Sequence, residues 1–173
     1  MAGDPANASI WTDADVYVAP TGTANPASVE EEFGSGWELV GLLDGDEGFA
    51  QNREEQTEDH YAWGSILVRT SRRNFKQTVS FTALEDNDVT RDLVWPDSPA
   101  GKLSVPRPNR IKIAFETTEG DKVKRLISTY EAEVTVDGEI VDNEAALTSL
   151  PLMATIFPDS SGNLFDIQET ESS

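Results

Sequence analysis

Cysteine is absent from the 173 residues, which excludes a disulfide framework, a thiolate metal site and a cysteine nucleophile. Histidine is almost absent: His60 is the only one. A Ser-His-Asp arrangement would have to use it, and zinc held by several imidazoles is ruled out. Basic residues are scarce, 13 against 32 acidic ones, for a formal charge of -19. Nucleic-acid binders show the opposite balance, because their lysines and arginines release counterions from phosphates. DNA is therefore expected to be repelled, although an acidic solubility coat gives the same composition. No apolar run approaches the roughly 20 residues that span a bilayer. The opening Met1-Ala2-Gly3-Asp4-Pro5 lacks the basic and apolar regions of a signal peptide. The expectation is a protein assembled in the cytoplasm without membrane partners.

What is present suits one domain, since a chain of this length removes roughly 70% of its unfolded surface from water. Residues 1–36 are rich in Ala, Pro, Asn, Gly and Thr and read as an N-terminal arm with a first strand around Val16 and Val18. From Trp37 to Leu43 the chain is apolar and strand-like until Asp44-Gly45-Asp46, a turn-forming triplet. A polar run then reaches Asp59, followed by Tyr61-Ala62-Trp63-Gly64, which predicts a hairpin projecting over about residues 50–64. Phe75, Val79, Phe81 and Ala83 alternate with Lys76, Thr78, Ser80 and Thr82, a strand with one dry and one wet side. The acidic Glu85-Asp86-Asn87-Asp88 precedes a short helix that Pro96 stops. Ile111, Ile113 and Phe115 alternate with polar neighbours before Glu119-Gly120-Asp121, and Ala132, Val134 and Val136 and then Leu150, Leu152, Ala154 and Ile156 repeat the pattern. Seven or eight strands and one helix give an all-β fold, a β-sandwich or barrel with one short flanking α-helix, over residues 37–168. Residues 169–173 are expected to be a flexible tail.

No catalytic, metal or cofactor site emerges. His60 lies in the polar hairpin, a poor setting for an oriented general base. Asp44, Asp46 and Glu55 occupy the first, third and twelfth positions of a calcium-loop frame, but Gly48 and Phe49 stand where a ligand and the sharp-turn glycine belong. A β-turn is the simpler reading of Asp44 and Asp46. A carbohydrate- or calcium-binding, adhesin-like β-sandwich stays open as an alternative, with Trp11, Trp37, Trp63 and Trp95 as stacking platforms.

The order of features from Trp37 to Trp95 resembles the major tail, or tail tube, proteins of siphophages, especially those infecting actinobacteria. A strand over residues 38–43 leads to the Asp-Gly turn and Gly48-Phe49. An acidic stretch, residues 53–59, reaches Ala62-Trp63-Gly64; Leu67-Val68-Arg69 and then residues 79–85 follow, with the helix directly after. This ordered set covers about a third of the chain.

The resemblance implies a non-enzymatic virion protein, a tail-tube-like fold and no cofactor. It implies self-assembly into stacked hexameric rings that form a tube for DNA delivery, with tape-measure, tail terminator and baseplate or distal tail proteins as partners. Glu54, Glu55, Glu58, Asp59, Tyr61 and Trp63 fall in the counterpart of the family's stacking loop, where the two aromatics are either anchors into the next ring or a local pair on the parent sheet. Thr78, Ser80, Thr82, Glu131, Glu133 and Thr135 are the candidate lumen residues; an ordinary outer face is the other reading, because period 2 says which residues share a face and not where it points.

Overall fold

The computed structural model describes Gly3 and residues 5–170. Nine strands and one helix follow in the order β1 (Asp13–Pro20), β2 (Glu38–Leu39), β3 (Ala50–Ala62), β4 (Ile66–Ala83), α1 (Asp88–Val94), β5 (Arg110–Glu119), β6 (Lys122–Ser128), β7 (Glu131–Val136), β8 (Leu150–Phe157) and β9 (Phe165–Glu169). The protein is all-β, and every strand pairing is antiparallel. No helix among the described residues is long and apolar enough to cross a membrane.

The sheet forks at β5. Along one edge β5 pairs β1 over eight residues. Along the other, Arg110 and Ile111 pair β7, whereas residues 114–119 pair β6. One wing is therefore β7-β8-β4-β3, and the other is β2-β1-β5-β6-β9. The wings fold over each other around the main dry core. Val79, Phe81 and Ala83 of β4 and Leu152, Ala154 and Ile156 of β8 meet Val16 and Val18 of β1 and Ile113 and Phe115 of β5. Each fully buried Val, Leu, Ile or Phe is worth about 1.5–3 kcal/mol, so the period-2 faces legible in β4 and β8 contribute a large share of the burial that holds the subunit together. The segment read as arm and first strand, residues 1–36, carries β1 into the sheet interior, between β2 and β5.

The short helix forms as its sequence dictates. The Asn87 side chain accepts from Thr90 N at 2.9 Å, and Thr90 Oγ1 accepts from Asn87 N at 2.9 Å, a reciprocal cap. Leu93 and Val94 then enter the core. The stretch after Trp37 departs from expectation: only Glu38 and Leu39 pair as a strand, with one further bridge between Leu43 and Ala83. Gly41 interrupts it with φ 108°, a conformation open to glycine, at a point where a Cβ would collide with the Glu85 carboxylate.

A second, smaller core lies on the opposite face of β1, β5 and β6. Residues 21–37 cross this face as a strap, laying Trp37 over Ala19, Ala114 and Ile127. Phe33 stacks on Tyr17, centroids 4.1 Å apart, and meets Trp37 edge-on at 5.2 Å. Two buried cations fasten the strap. Lys112 donates to Thr23 O at 2.9 Å and to the Asn25 side chain, and Arg125 donates to Glu31 O at 2.7 Å while pairing with Glu116. The last strand, β9, runs through Glu169, and Thr170 N donates to Val123 O at 3.0 Å. The expected tail thus begins two residues inside ordered structure, and residues 171–173 lie outside the described residues.

Candidate assembly surfaces

The most distinctive surface is the hairpin of β3 and β4. Every residue of β3 is exposed, and so is nearly all of β4 before Gln77. Beyond the point where β8 stops pairing at Gln77, the hairpin is a two-stranded ribbon with both faces wet. Isolated ribbons are at best marginally stable in water. Cross-strand contacts link it: Glu58 pairs with Arg73, Glu55 lies 3.9 Å from Arg72, and Thr70 donates to Asp59 at 2.7 Å. Exposed pairs of this kind contribute about 0–1 kcal/mol each. Bulges interrupt the ladder at Glu54/Gln56 and His60/Tyr61, and bulges bend and twist a ribbon.

All six candidate stacking residues lie on this ribbon. Glu54, Glu55, Glu58, Asp59 and Tyr61 stand along β3, and Trp63, in the turn, is 99% exposed. Tyr61 is 62% exposed, so both rings face solvent in the isolated subunit. Ile66, Leu67 and Val68 add exposed apolar surface across the turn. What the acidic run of the sequence concealed is its partner strand: Arg69, Arg72, Arg73 and Lys76 face it on β4, so the ribbon is close to neutral.

The second surface is the outer face of the β7-β8-β4-β3 wing. Pairing aligns Thr78, Thr155 and Glu133 in one row and Ser80, Met153 and Thr135 in the next, so the candidate lumen residues of β4 and β7 share one face, with β8 between them. Thr82 and Glu131 lie further along the same two strands. Thr78 corrects the wet-side expectation. It is only 4% exposed, enclosed in an interior strand between Asn52 and Thr155. Ser80, Thr82, Glu131 and Glu133 are half-buried, and Thr135 is exposed. Arg110, unremarkable in the sequence, sits 3.7 Å from Glu131 and 3.8 Å from Glu133, with its guanidinium 3.7 Å from the Phe157 ring centre. This face carries paired rather than bare carboxylates.

Elsewhere the candidates for chemistry resolve into local structure. Asp44 Oδ1 accepts from Asp46 N at 2.9 Å, closing the turn, while Glu55 faces Arg72 on the ribbon. His60 Nε2 lies 3.1 Å from Ser71 Oγ on the same ribbon. Among the described residues no group of three or more His, Cys, Asp or Glu is placed to hold a metal ion. Trp37 is buried and Trp95 packs on the core, which removes two of the four aromatic platforms that a glycan-binding surface would use.

A family model described as phage tail tube protein matches residues 1–170. No curated protein matches the chain.

Proposed function

The chain belongs to the phage tail tube proteins, a structural and non-enzymatic component of the virion tail, and from that membership we propose that its copies close into hexameric rings which stack into the tail tube of a siphophage. DNA passes through the lumen on delivery to the host. Tape-measure protein, tail terminator and baseplate or distal tail proteins set the length and ends of the tube, which is built in the host cytoplasm. The observation that supports this reading best is the ribbon beyond Gln77. It presents apolar and aromatic side chains on a support with no core of its own, which is intelligible when a sister subunit completes it. A neighbour also satisfies the unpaired edge of β3, otherwise an aggregation hazard. Head-to-tail contacts close within a ring and stay open-ended between rings, so one polypeptide yields a long polymer.

Glu54, Glu55, Glu58, Asp59, Tyr61 and Trp63 form the inter-ring contact in this reading. The face that carries Ser80, Thr82, Glu131, Glu133 and Thr135, with Thr78 beneath its surface, approaches the lumen. Its carboxylates, half-neutralised by Arg110, repel phosphates over about one Debye length, roughly 8 Å at physiological salt, so that DNA slides without binding. Electron microscopy of concentrated protein, seeded with tail ends, tests the proposal: hollow filaments or stacked sixfold rings are expected. Particles without a central hole under those conditions rule it out.

A further inference from the structure

At the root of the ribbon lies an open groove of about 520 Å3. Phe49, Val79, Phe81 and Phe115 line it, and Trp11, Leu39 and Leu42 form its lip. Leu42 is 67% exposed, an apolar side chain spent on nothing within the subunit. Ligand sites of roughly 300–1,000 Å3 accept small organic molecules, so there is room for one or two aromatic rings. Two carboxylates, Asp44 and Glu85, stand beside this groove with one ammonium, Lys124, whereas Asp13 and Asp15 of its β1 edge alternate with the core residue Val16 and share the face of Tyr17.

The ribbon tip suits it in apolar character and in charge. Residues 50–76 carry five basic side chains against four acidic ones, leaving eight basic against 28 acidic for the rest of the chain; the nearly neutral ribbon lacks the negative charge that the rest of the protein carries. Near its tip Arg69, which no ion pair engages among the described residues, accompanies Tyr61, Trp63 and Ile66. The ribbon length sets the distance that such a contact spans. Gln51, at the ribbon's root, lines the groove, and Ala62 closes β3 at the tip. At about 3.3 Å per residue the tip stands roughly 35 Å from the groove. A copy displaced by one ribbon length therefore has its groove where the first copy has its tip.

We propose that this groove is the seat of the ribbon tip of a second copy, with Trp63 on the apolar floor and Arg69 among the rim carboxylates, so that each subunit serves as peg to one neighbour and socket to another. The proposal rests on the tube reading and adds to it the place where the stacking contact lands.

The absence of native cysteine makes crosslinking a clean test. Ala62→Cys and Leu42→Cys are combined in one chain, assembled, and treated with a short bismaleimide. Multimers beyond the dimer are expected on denaturing gels, whereas either single variant, and Ala62→Cys with the exposed but distant Leu147→Cys, gives dimers at most. If the double variant does not assemble, it is doped sparsely into wild-type tubes and tip-to-groove crosslinks to Leu42→Cys subunits are read there. Gly45→Trp supplies an independent measurement: Gly45 lines the groove, and a Cβ added there meets nothing within 4 Å, so the backbone admits the larger side chain and the indole is expected to obstruct the socket. The variant is expected to reduce tube yield at least tenfold with an unchanged melting temperature. Wild-type tubes without tip-to-groove crosslinks, or normal tubes from Gly45→Trp, overturn the seat and leave the tube standing. Failure of the wild-type chain to form tubes overturns both.

Discussion

Phe81 of β4 and Phe115 of β5 meet edge to face, ring centroids 5.8 Å apart, and so join the two wings of the forked sheet. Phe49 and Phe165 contact the same Phe115 at 5.1 and 6.4 Å. Phe115→Ala is expected to cost about 3–5 kcal/mol. A fall in the denaturant midpoint with an unchanged slope checks this.

At the ribbon tip the expectation inverts. Tyr61→Ala with Trp63→Ala removes side chains that touch little within the subunit, so stability should stay within about 0.5 kcal/mol. Assembly should nevertheless fail, because aromatic anchors dominate interfaces. Thermal melts paired with electron microscopy separate the two effects, and normal tubes from the double variant contradict the stacking role.

The Asp15 carboxyl lies above its ordinary value near 3.8, first through burial and then through Asp13 and Glu116. A raised folded-state pKa means the folded chain holds this proton more tightly than the unfolded one. Its stabilising contribution is complete below pH 3.8 and is lost as pH rises through the folded value. Asp15→Asn should therefore gain on the wild type in melting temperature between acidic and neutral pH. A difference that stays constant with pH would count against this account.

Lys112→Ala should release the strap of residues 21–37, because it removes the donor to Thr23 O and Asn25. Loss of a buried charged hydrogen bond costs about 1.5–3 kcal/mol. Limited proteolysis is expected to cut within this strap faster than in the wild type. A strap cleavage rate equal to that of the wild type would show that Arg125 and Trp37 hold the strap without Lys112.

Local pattern made the core strands legible. Alternation in β4, β7 and β8 identified Val79, Phe81, Leu152, Ala154 and Ile156 as one dry face, and the acidic cap announced α1. The Glu119-Gly120-Asp121 turn joins β5 to β6 as its residues indicate, with Gly120 at φ 59°. Alternation misled where sheet geometry changes. Phe75 shares the parity of Val79, yet it is 48% exposed, because the ladder is irregular at Asn74, φ 57°, and β8 no longer covers the strand there.

Long-range pairing left little local trace. Nothing near Arg110 announces Glu131 and Glu133 as its partners, and β9, short and half-exposed, has no clean alternation of its own. The composition of residues 21–36 reads as a loose arm. Its attachment depends on Lys112 and Arg125, some 90 residues away, and only the folded sheet brings them beneath Phe33 and Trp37. The candidate site was legible as a projecting hairpin with aromatic tips, whereas the groove is assembled from distant segments and could not be seen in any one of them.

The ribbon beyond Gln77 has a kinetic consequence. Two strands without a third hold their order weakly, so the entropy of fixing them is settled when a neighbour arrives. The first encounter is then the unfavourable one, and each later subunit meets a ribbon already rigid. Filament growth should show a lag that shortens when preformed ends are added, and light scattering after such an addition would record it.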